Sequence, residues 1–264
     1  MSEPYVLITG ASAGIGAALA HAFARRKHAI VLVARRKQVL AELAQTLRDD
    51  YGVEVLTMPF DLAKKRAPAR LLAKLEAQQV TVDVLVNNAG AAGAGEFAQM
   101  DGAEVDAMVA LNVRALTSLT RLFLPGMVER GAGRILNVAS VLAFQPTPSR
   151  AVYAATKAFV LSFSEALSEE LRGKGVTVTA LCPGLTRTDM ARDTRLPPFL
   201  AAEPAAVAEE GYHACMNGEV IRVPGAVNQM ALAWSELQPR WLVRSMAGYL
   251  GRAAGQSSPK QPQA

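Results

Sequence analysis

Thr9-Gly10-Ala11-Ser12-Ala13-Gly14-Ile15-Gly16 is the stretch that decides the fold. The apolar run Tyr5–Thr9 enters it as a strand, and a helical pattern over about 14–26 leaves it. A strand that turns this sharply into a helix uses glycine because a Cβ would obstruct both the turn and the approach of a ligand. The free N–H groups and positive dipole end of such a helix attract a pyrophosphate. Glycines also serve ordinary turns, so the position between a first strand and a first helix is what makes the dinucleotide-binding reading specific.

Working outward, further short apolar runs alternate with longer helical patterns. Ile30–Ala34, Val53–Met58, Val82–Val86, Arg134–Ala139 and Val176–Leu181 read as strands, with helices over about 36–50, 62–78, 104–129 and 150–173. The strands are nearly continuous in apolar residues, as in a parallel sheet covered on both faces. The expected fold is α/β: a single doubly wound parallel sheet of Rossmann type, with helices on both faces and a short helical lid near the C-terminus. Residues 1–254 are read as one domain, with a lid and substrate region about 186–222 and C-terminal helices about 225–251. The segment 255–264 has nothing to bury and is read as a loose tail.

Composition narrows the class. Of 264 residues, 51% are hydrophobic and 19% charged, enough for a large buried core. The net charge of +5 raises nucleic acid as a partner. The basic triplets at 25–27, 35–37 and 64–66 are separated by apolar stretches, and aromatics make up only 6% of the chain, so no nucleic-acid partner is expected. Cys182 and Cys215 form neither a CxxC nor a disulfide framework, which suits a reducing compartment. No signal-peptide pattern opens the chain and no uninterrupted apolar run reaches membrane-spanning length, so a cytoplasmic location is expected. His21, His28 and His213 lack ligand spacing, and no metal site is expected.

The spacing Gly-x-x-x-Gly-x-Gly, followed in order by further motifs, resembles the classical short-chain dehydrogenase/reductase family. Asn87-Asn88-Ala89-Gly90 follows the fourth strand, Asn112 lies in the next helix, Ser140 ends the fifth strand, and Tyr153-Ala154-Ala155-Thr156-Lys157 opens a helix. Pro183-Gly184 with Thr188 completes the set, which spans about two thirds of the chain and becomes loose beyond Thr188.

The resemblance implies an oxidoreductase that exchanges a hydride with a carbonyl or alcohol. Its cofactor site would include Gly10, Ser12, Gly14, Ile15, Gly16, Asn88, Ala89, Gly90, Pro183, Gly184, Thr186 and Thr188. Asp61 matches the family position that meets the adenine amino group, and equally reads as a helix N-cap before Leu62. Asn87 is read as a tie between strands. No acid stands at the end of the second strand; Arg35 and Arg36 follow Ala34 instead, which suits a ribose 2′-phosphate and therefore NADP(H). The plain alternative is that both arginines sit on an exposed loop.

Tyr153 and Lys157 are four residues apart and share one helix face. A free tyrosine has a pKa of about 10, and an ammonium beside it would lower that value. By resemblance Tyr153 handles the proton, Lys157 also holds the nicotinamide ribose, Ser140 positions the reacting oxygen, and Asn112 supports a water beside the lysine. Asn112 could instead be a satisfied polar group within its helix.

The small residues Ala91, Ala92, Gly93, Ala94 and Gly95, with Val141, Leu142 and Phe144, favour an apolar substrate. Arg187, Arg192 or Arg195 could hold a carboxylate, and a ketone, a steroid-like molecule and an acyl chain remain open. Met230, Trp234, Trp241, Leu242, Met246 and Leu250 are read as packing over the site or in a homodimer or homotetramer. The rival is a membrane-surface helix, with Arg240, Arg244 and Arg252 facing anionic lipid. A cofactor-binding sensor or scaffold without turnover is the alternative function, disfavoured because binding alone needs no proton donor beside the nicotinamide.

Overall fold

The structure is a computed structural model that describes residues 4–189, 201–236, 238, 239, 242 and 245. Seven parallel strands form one sheet: β1 (Tyr5–Thr9), β2 (Ala29–Ala34), β3 (Val55–Pro59), β4 (Val82–Asn87), β5 (Gly133–Val138), β6 (Val176–Leu181) and β7 (Ile221–Arg222). Their order is β3-β2-β1-β4-β5-β6-β7, so the winding reverses between β1 and β4. That switch point opens the crevice in which ligands bind beyond the carboxyl ends of parallel strands.

Period-two alternation sends neighbouring residues of each strand to opposite faces. Val6 and Ile8 pack with α1 (Gly14–Ala24), α2 (Lys37–Tyr51) and α7 (Pro204–Asn217). Tyr5 and Leu7 face the other layer, built from α3 (Ala67–Glu76), α5 (Leu116–Glu129) and α6 (Ala151–Glu170). Both faces are therefore covered, which explains the continuous apolar runs.

Several expected boundaries differ. The helix read from 62 begins at Ala67 because Pro68, which lacks an N–H, is accommodated in a helix's first turn. The helix read over 104–129 has three parts: α4 (Gly102–Val109), a π-helical segment (Ala110–Ala115) and α5. Together Gly102–Glu129 is long and apolar enough to cross a membrane by length and composition, although Glu104, Asp106, Arg114 and Arg121 interrupt it. Here it is a core element, with Ala115, Leu119, Phe123 and Met127 buried against the sheet. The strand read as Val53–Met58 pairs over Val55–Pro59. The short β7, joined to β6 by two residue pairs, falls inside the region read as lid.

A buried polar chain sets the height of α6 on the sheet. Asn87 Nδ2 donates to Asn137 Oδ1 at 2.9 Å, Asn137 Nδ2 to Ser164 Oγ at 2.9 Å, and Ser164 Oγ to Val160 O at 2.7 Å. It runs from β4 through β5 into α6, so Asn87 is the expected tie between strands. Leaving any member unpaired in the core would cost about 1–3 kcal/mol, which makes the position of α6, and of the residues it carries, stiff.

Candidate active site

The glycine loop has the shape its residues require. Gly14 opens α1 at φ 55°, in the left-handed region, and a Cβ there would lie 2.9 Å from Thr188 Cγ2. A Cβ on Gly16 would lie 2.4 Å from both Gly10 O and Asn88 Nδ2. The helix therefore starts closer to β1 and β4 than any other residue permits. Its N-cap, Ala13, is extended and offers no side-chain cap, and the first turn carries no acid. Four N–H groups at such a start lack partners within the helix and face the crevice with the dipole behind them, a cradle for phosphate oxygens. Ile15 is half-buried against the core.

Thr9, whose side chain was given no role in the sequence, organises the crossing of β1 and β4. Its hydroxyl donates to Val86 O at 3.1 Å and accepts from Asn88 N at 2.9 Å and Ala89 N at 3.0 Å. Asn88 Nδ2 donates to Thr9 O at 2.9 Å. Asn88 thus joins the strand tie expected of Asn87 alone, while Ala89 and Gly90 form the wall of the crevice. A Cβ on Gly90 would stand 3.6 Å from Lys157 Nζ and 3.3 Å from Asn112 Oδ1.

At the far end of the crevice, the exposed Arg36 donates through Nη2 to Ser12 O at 3.0 Å and to Ser12 Oγ at 3.1 Å. Arg35 beside it is exposed. Asp61 Oδ1 accepts from Ala63 N at 3.2 Å. It therefore caps the turn after β3 and not a helix beginning at Leu62, since α3 starts six residues later.

Ser140, Tyr153 and Lys157 converge near the switch point. Ser140 is 8% exposed at the end of β5; its Oγ accepts from Leu142 N at 3.2 Å, which caps the 3₁₀ turn Val141–Ala143. It also shares a hydrogen bond with the half-buried Tyr153. Burial raises the Tyr153 hydroxyl above its ordinary pKa, opposed by the Ser140 hydrogen bond and the charge of Arg150. The expected lowering by Lys157 is corrected here. The lysine Nζ lies 5.8 Å from the centroid of the tyrosine ring and donates to Val138 O at 2.7 Å. Lys157 is itself buried, and loss of water lowers its pKa to about 8, with partial opposition from Cys182. Burial likewise pushes the Cys182 thiol up to about 12. Both cysteines are fully buried.

Asn112 sits in the π-helical segment with its side chain buried. Oδ1 accepts from Ala91 N at 2.8 Å, and Nδ2 donates to Ala91 O at 2.9 Å and Thr156 Oγ1 at 3.0 Å. Its amide fastens the loop after β4 to α6, one residue before Lys157. This matches the satisfied polar group weighed from the sequence, and Oδ1, with one bond accepted, keeps a second lone pair.

The segment after β6 closes the other wall. Pro183 is buried, and its carbonyl accepts from Val141 N at 3.0 Å. Thr186 is turned inward, donating to Gly184 O at 3.1 Å and forming a bridge with Ala202, so Thr188 is the threonine that meets the glycine loop. Gly184 faces Asn228 of α8 (Ala226–Glu236), where an added Cβ would stand 2.5 Å from both side-chain polar atoms. No sequence signal pointed to Asn228. Met100 and Met108 back Gly93 across the crevice, with a Cβ at Gly93 only 2.6 Å from Met108 Cε. Arg192, Arg195, Arg240, Trp241, Arg244, Met246, Leu250, Arg252 and the tail 255–264 lie outside the described residues. Among the described residues no group of three or more His, Cys, Asp or Glu could hold a metal ion.

Known proteins bear directly on this arrangement. The family model for short chain dehydrogenase matches residues 4–197. The NADP-dependent 3-hydroxy acid dehydrogenase YdfG of Salmonella typhi is 41% identical over 181 residues, covering 68% of this chain and 71% of that protein. The short-chain dehydrogenase from Sphingobium yanoikuyae, solved in complex with NADPH, superposes with a TM-score of 0.80 at 34% identity, over 98% of each chain. The bulky-bulky ketone specific alcohol dehydrogenase from Comamonas testosteroni has a TM-score of 0.79 at 31% identity, over 100% of each chain. With the glycine cradle at the switch point and Ser140, Tyr153 and Lys157 beside it, these likenesses establish that the chain belongs to the short-chain dehydrogenase family.

Proposed function

We propose that this chain is an NADP(H)-dependent oxidoreductase that interconverts a carbonyl and an alcohol on a small to medium apolar substrate, with Tyr153 as the acid and base. The observation that carries it is the convergence of a proton-bearing tyrosine, its serine partner and a buried lysine beside a glycine cradle. The cradle fits a dinucleotide: N–H groups without a side-chain cap face the space that absent Cβ atoms leave open. Gly10, Ser12, Gly14, Gly16 and Thr188 would hold its pyrophosphate, Asp61 its adenine, and Arg35 with Arg36 its 2′-phosphate. Bound there, the nicotinamide supplies or accepts the hydride.

The protein's own part is proton handling and positioning. Burial keeps the Tyr153 hydroxyl protonated at neutral pH, so it serves as the proton donor when a carbonyl is reduced. Ser140 Oγ holds the reacting oxygen in line with that hydroxyl. Lys157, held by Val138 O, would hold the ribose of the cofactor, and Asn112 fixes the Ala91 loop. Gly93 with Met100 and Met108, and Val141 with Phe144, support an apolar pocket. The bulky ketones named for the Comamonas testosteroni protein agree with this, and the hydroxy acids of the Salmonella typhi relative define the competing class to test.

The chain is proposed to work in the cytoplasm as one domain and as a homodimer or homotetramer. The exposed stripe Val227, Met230 and Trp234 on α8 supports subunit packing. The test is NADPH oxidation against a panel of apolar ketones, aldehydes and 3-oxo acids, with Tyr153→Phe alongside. The variant should bind NADPH and lose turnover; retained turnover would refute the role of Tyr153.

A further inference from the structure

The triplet Lys64-Lys65-Arg66 has no part in the site described above, and the fold places it against α3. Lys64, Lys65, Arg66, Arg70 and Lys74 line one open groove of about 620 Å³, whose other wall is Pro59, Phe60 and Asp61 at the end of β3. All five cations are exposed, and no side chain among them has an ion pair or hydrogen-bond partner among the described residues. Several arginines elsewhere on the surface do have acidic partners. Arg25 and Arg26 pair with Glu209, Arg130 with Asp83, Arg172 with Glu169 and Arg222 with Glu210. In the groove the sole acid is Asp61, whose Oδ1 already accepts from Ala63 N. Uncompensated positive charge is therefore concentrated in one concave place.

That place adjoins the adenosine end of the crevice. Phe60 N donates to Ala34 O at 3.0 Å, so the groove wall is hydrogen-bonded to the residue just before Arg35. A concave surface lined by one sign of charge focuses its field and raises the local concentration of an oppositely charged ligand. A 2′-phosphate adds close to two negative charges, about −1.5 to −2 at neutral pH. The groove lies beyond β3, the outermost strand, on the far side of β2 from the glycine loop, so its charges act at a distance, drawing the ligand in on approach and still favouring it once seated. We propose that this basic groove is an electrostatic collecting site that speeds association of the 2′-phosphorylated cofactor and so contributes to choosing NADPH over NADH. The inference rests on the NADP(H) reading and adds to it five residues that determine specificity through the on-rate.

The experiment is stopped-flow binding of NADPH and NADH to the full chain across a range of ionic strength. The wild type is compared with the triple variant Lys64→Glu, Lys65→Glu and Arg66→Glu, and with the charge-keeping Lys64→Arg, Lys65→Arg and Arg66→Lys. At low salt the charge reversal should slow NADPH association by about tenfold and flatten its salt dependence. Dissociation should change less than association and NADH be affected less, while the charge-keeping variant behaves as the wild type. An unchanged NADPH on-rate, an equal fall for both cofactors, or an effect confined to dissociation would overturn the proposal. A wild type that binds no NADPH would overturn the cofactor reading instead. If the reversed triplet does not fold, Arg70→Gln with Lys74→Gln asks the same question from α3 and should slow NADPH association in the same direction.

Discussion

Replacing Lys157 by methionine should make the protein more stable at neutral pH while removing its activity. The lysine is buried, and its pKa is lowered from 10.5 to about 8 because the charged form has lost water. The folded protein therefore carries fewer protons than the unfolded chain between about pH 8 and 10.5, and over that window stability rises with pH. The penalty of holding the ammonium is present in full below about pH 8 and gone above about 10.5. At roughly 1.4 kcal/mol per pKa unit, that displacement is worth about 3 kcal/mol. Methionine fills a similar volume without charge but leaves Val138 O without its 2.7 Å donor, a loss of about 1 kcal/mol. The variant should thus exceed the wild type by about 2 kcal/mol at pH 7 and fall about 1 kcal/mol below it at pH 10.5. Urea unfolding of both proteins at the two pH values measures the difference. Taking it between variant and wild type cancels groups common to both, such as Tyr5 and Cys215, whose raised pKa values act in the opposite sense. A variant less stable at pH 7, or a difference that does not change sign with pH, would refute the reasoning.

Two further substitutions test the close approaches. Gly16→Ala brings a methyl to 2.4 Å from Gly10 O, a backbone atom held in the β1 turn, and should cost about 2–4 kcal/mol while weakening NADPH binding, read by thermal melting and fluorescence titration. A melting point within a degree or so of wild type would show the loop to be more yielding than this geometry. Gly184→Ala meets Asn228 at 2.5 Å and should lower both melting point and cofactor affinity. Adding Asn228→Ala should restore part of each, giving a coupling of about 1 kcal/mol in a double-mutant cycle, and strictly additive effects would disprove the contact.

The sheet, its parallel sense and six of its seven strands were legible in the sequence because burial on both faces leaves a local trace, an unbroken apolar run bounded by turn residues. The glycine cradle and the four-residue spacing of Tyr153 and Lys157 were legible for the same reason: each is a constraint met within one turn or one loop. The start of α3 could have been placed from Pro68 alone. The two-residue β7 could not, since only its pairing with Ala180 and Leu181 makes it a strand.

What the tertiary structure decided is the condition of each group once neighbours arrive from elsewhere in the chain. Lys157 was expected to tune Tyr153, yet its partner is Val138 O, supplied by β5, and the tyrosine answers to burial, Ser140 and Arg150 instead. Asn112 became a fastener between the Ala91 loop and Thr156, 21 and 44 positions away. Asn228 was silent until α8 brought it onto Gly184. Sequence reports periodicity and spacing, which are properties of one segment. Desolvation and hydrogen-bond choice depend on which distant segments are packed together, and only the assembled fold determines that.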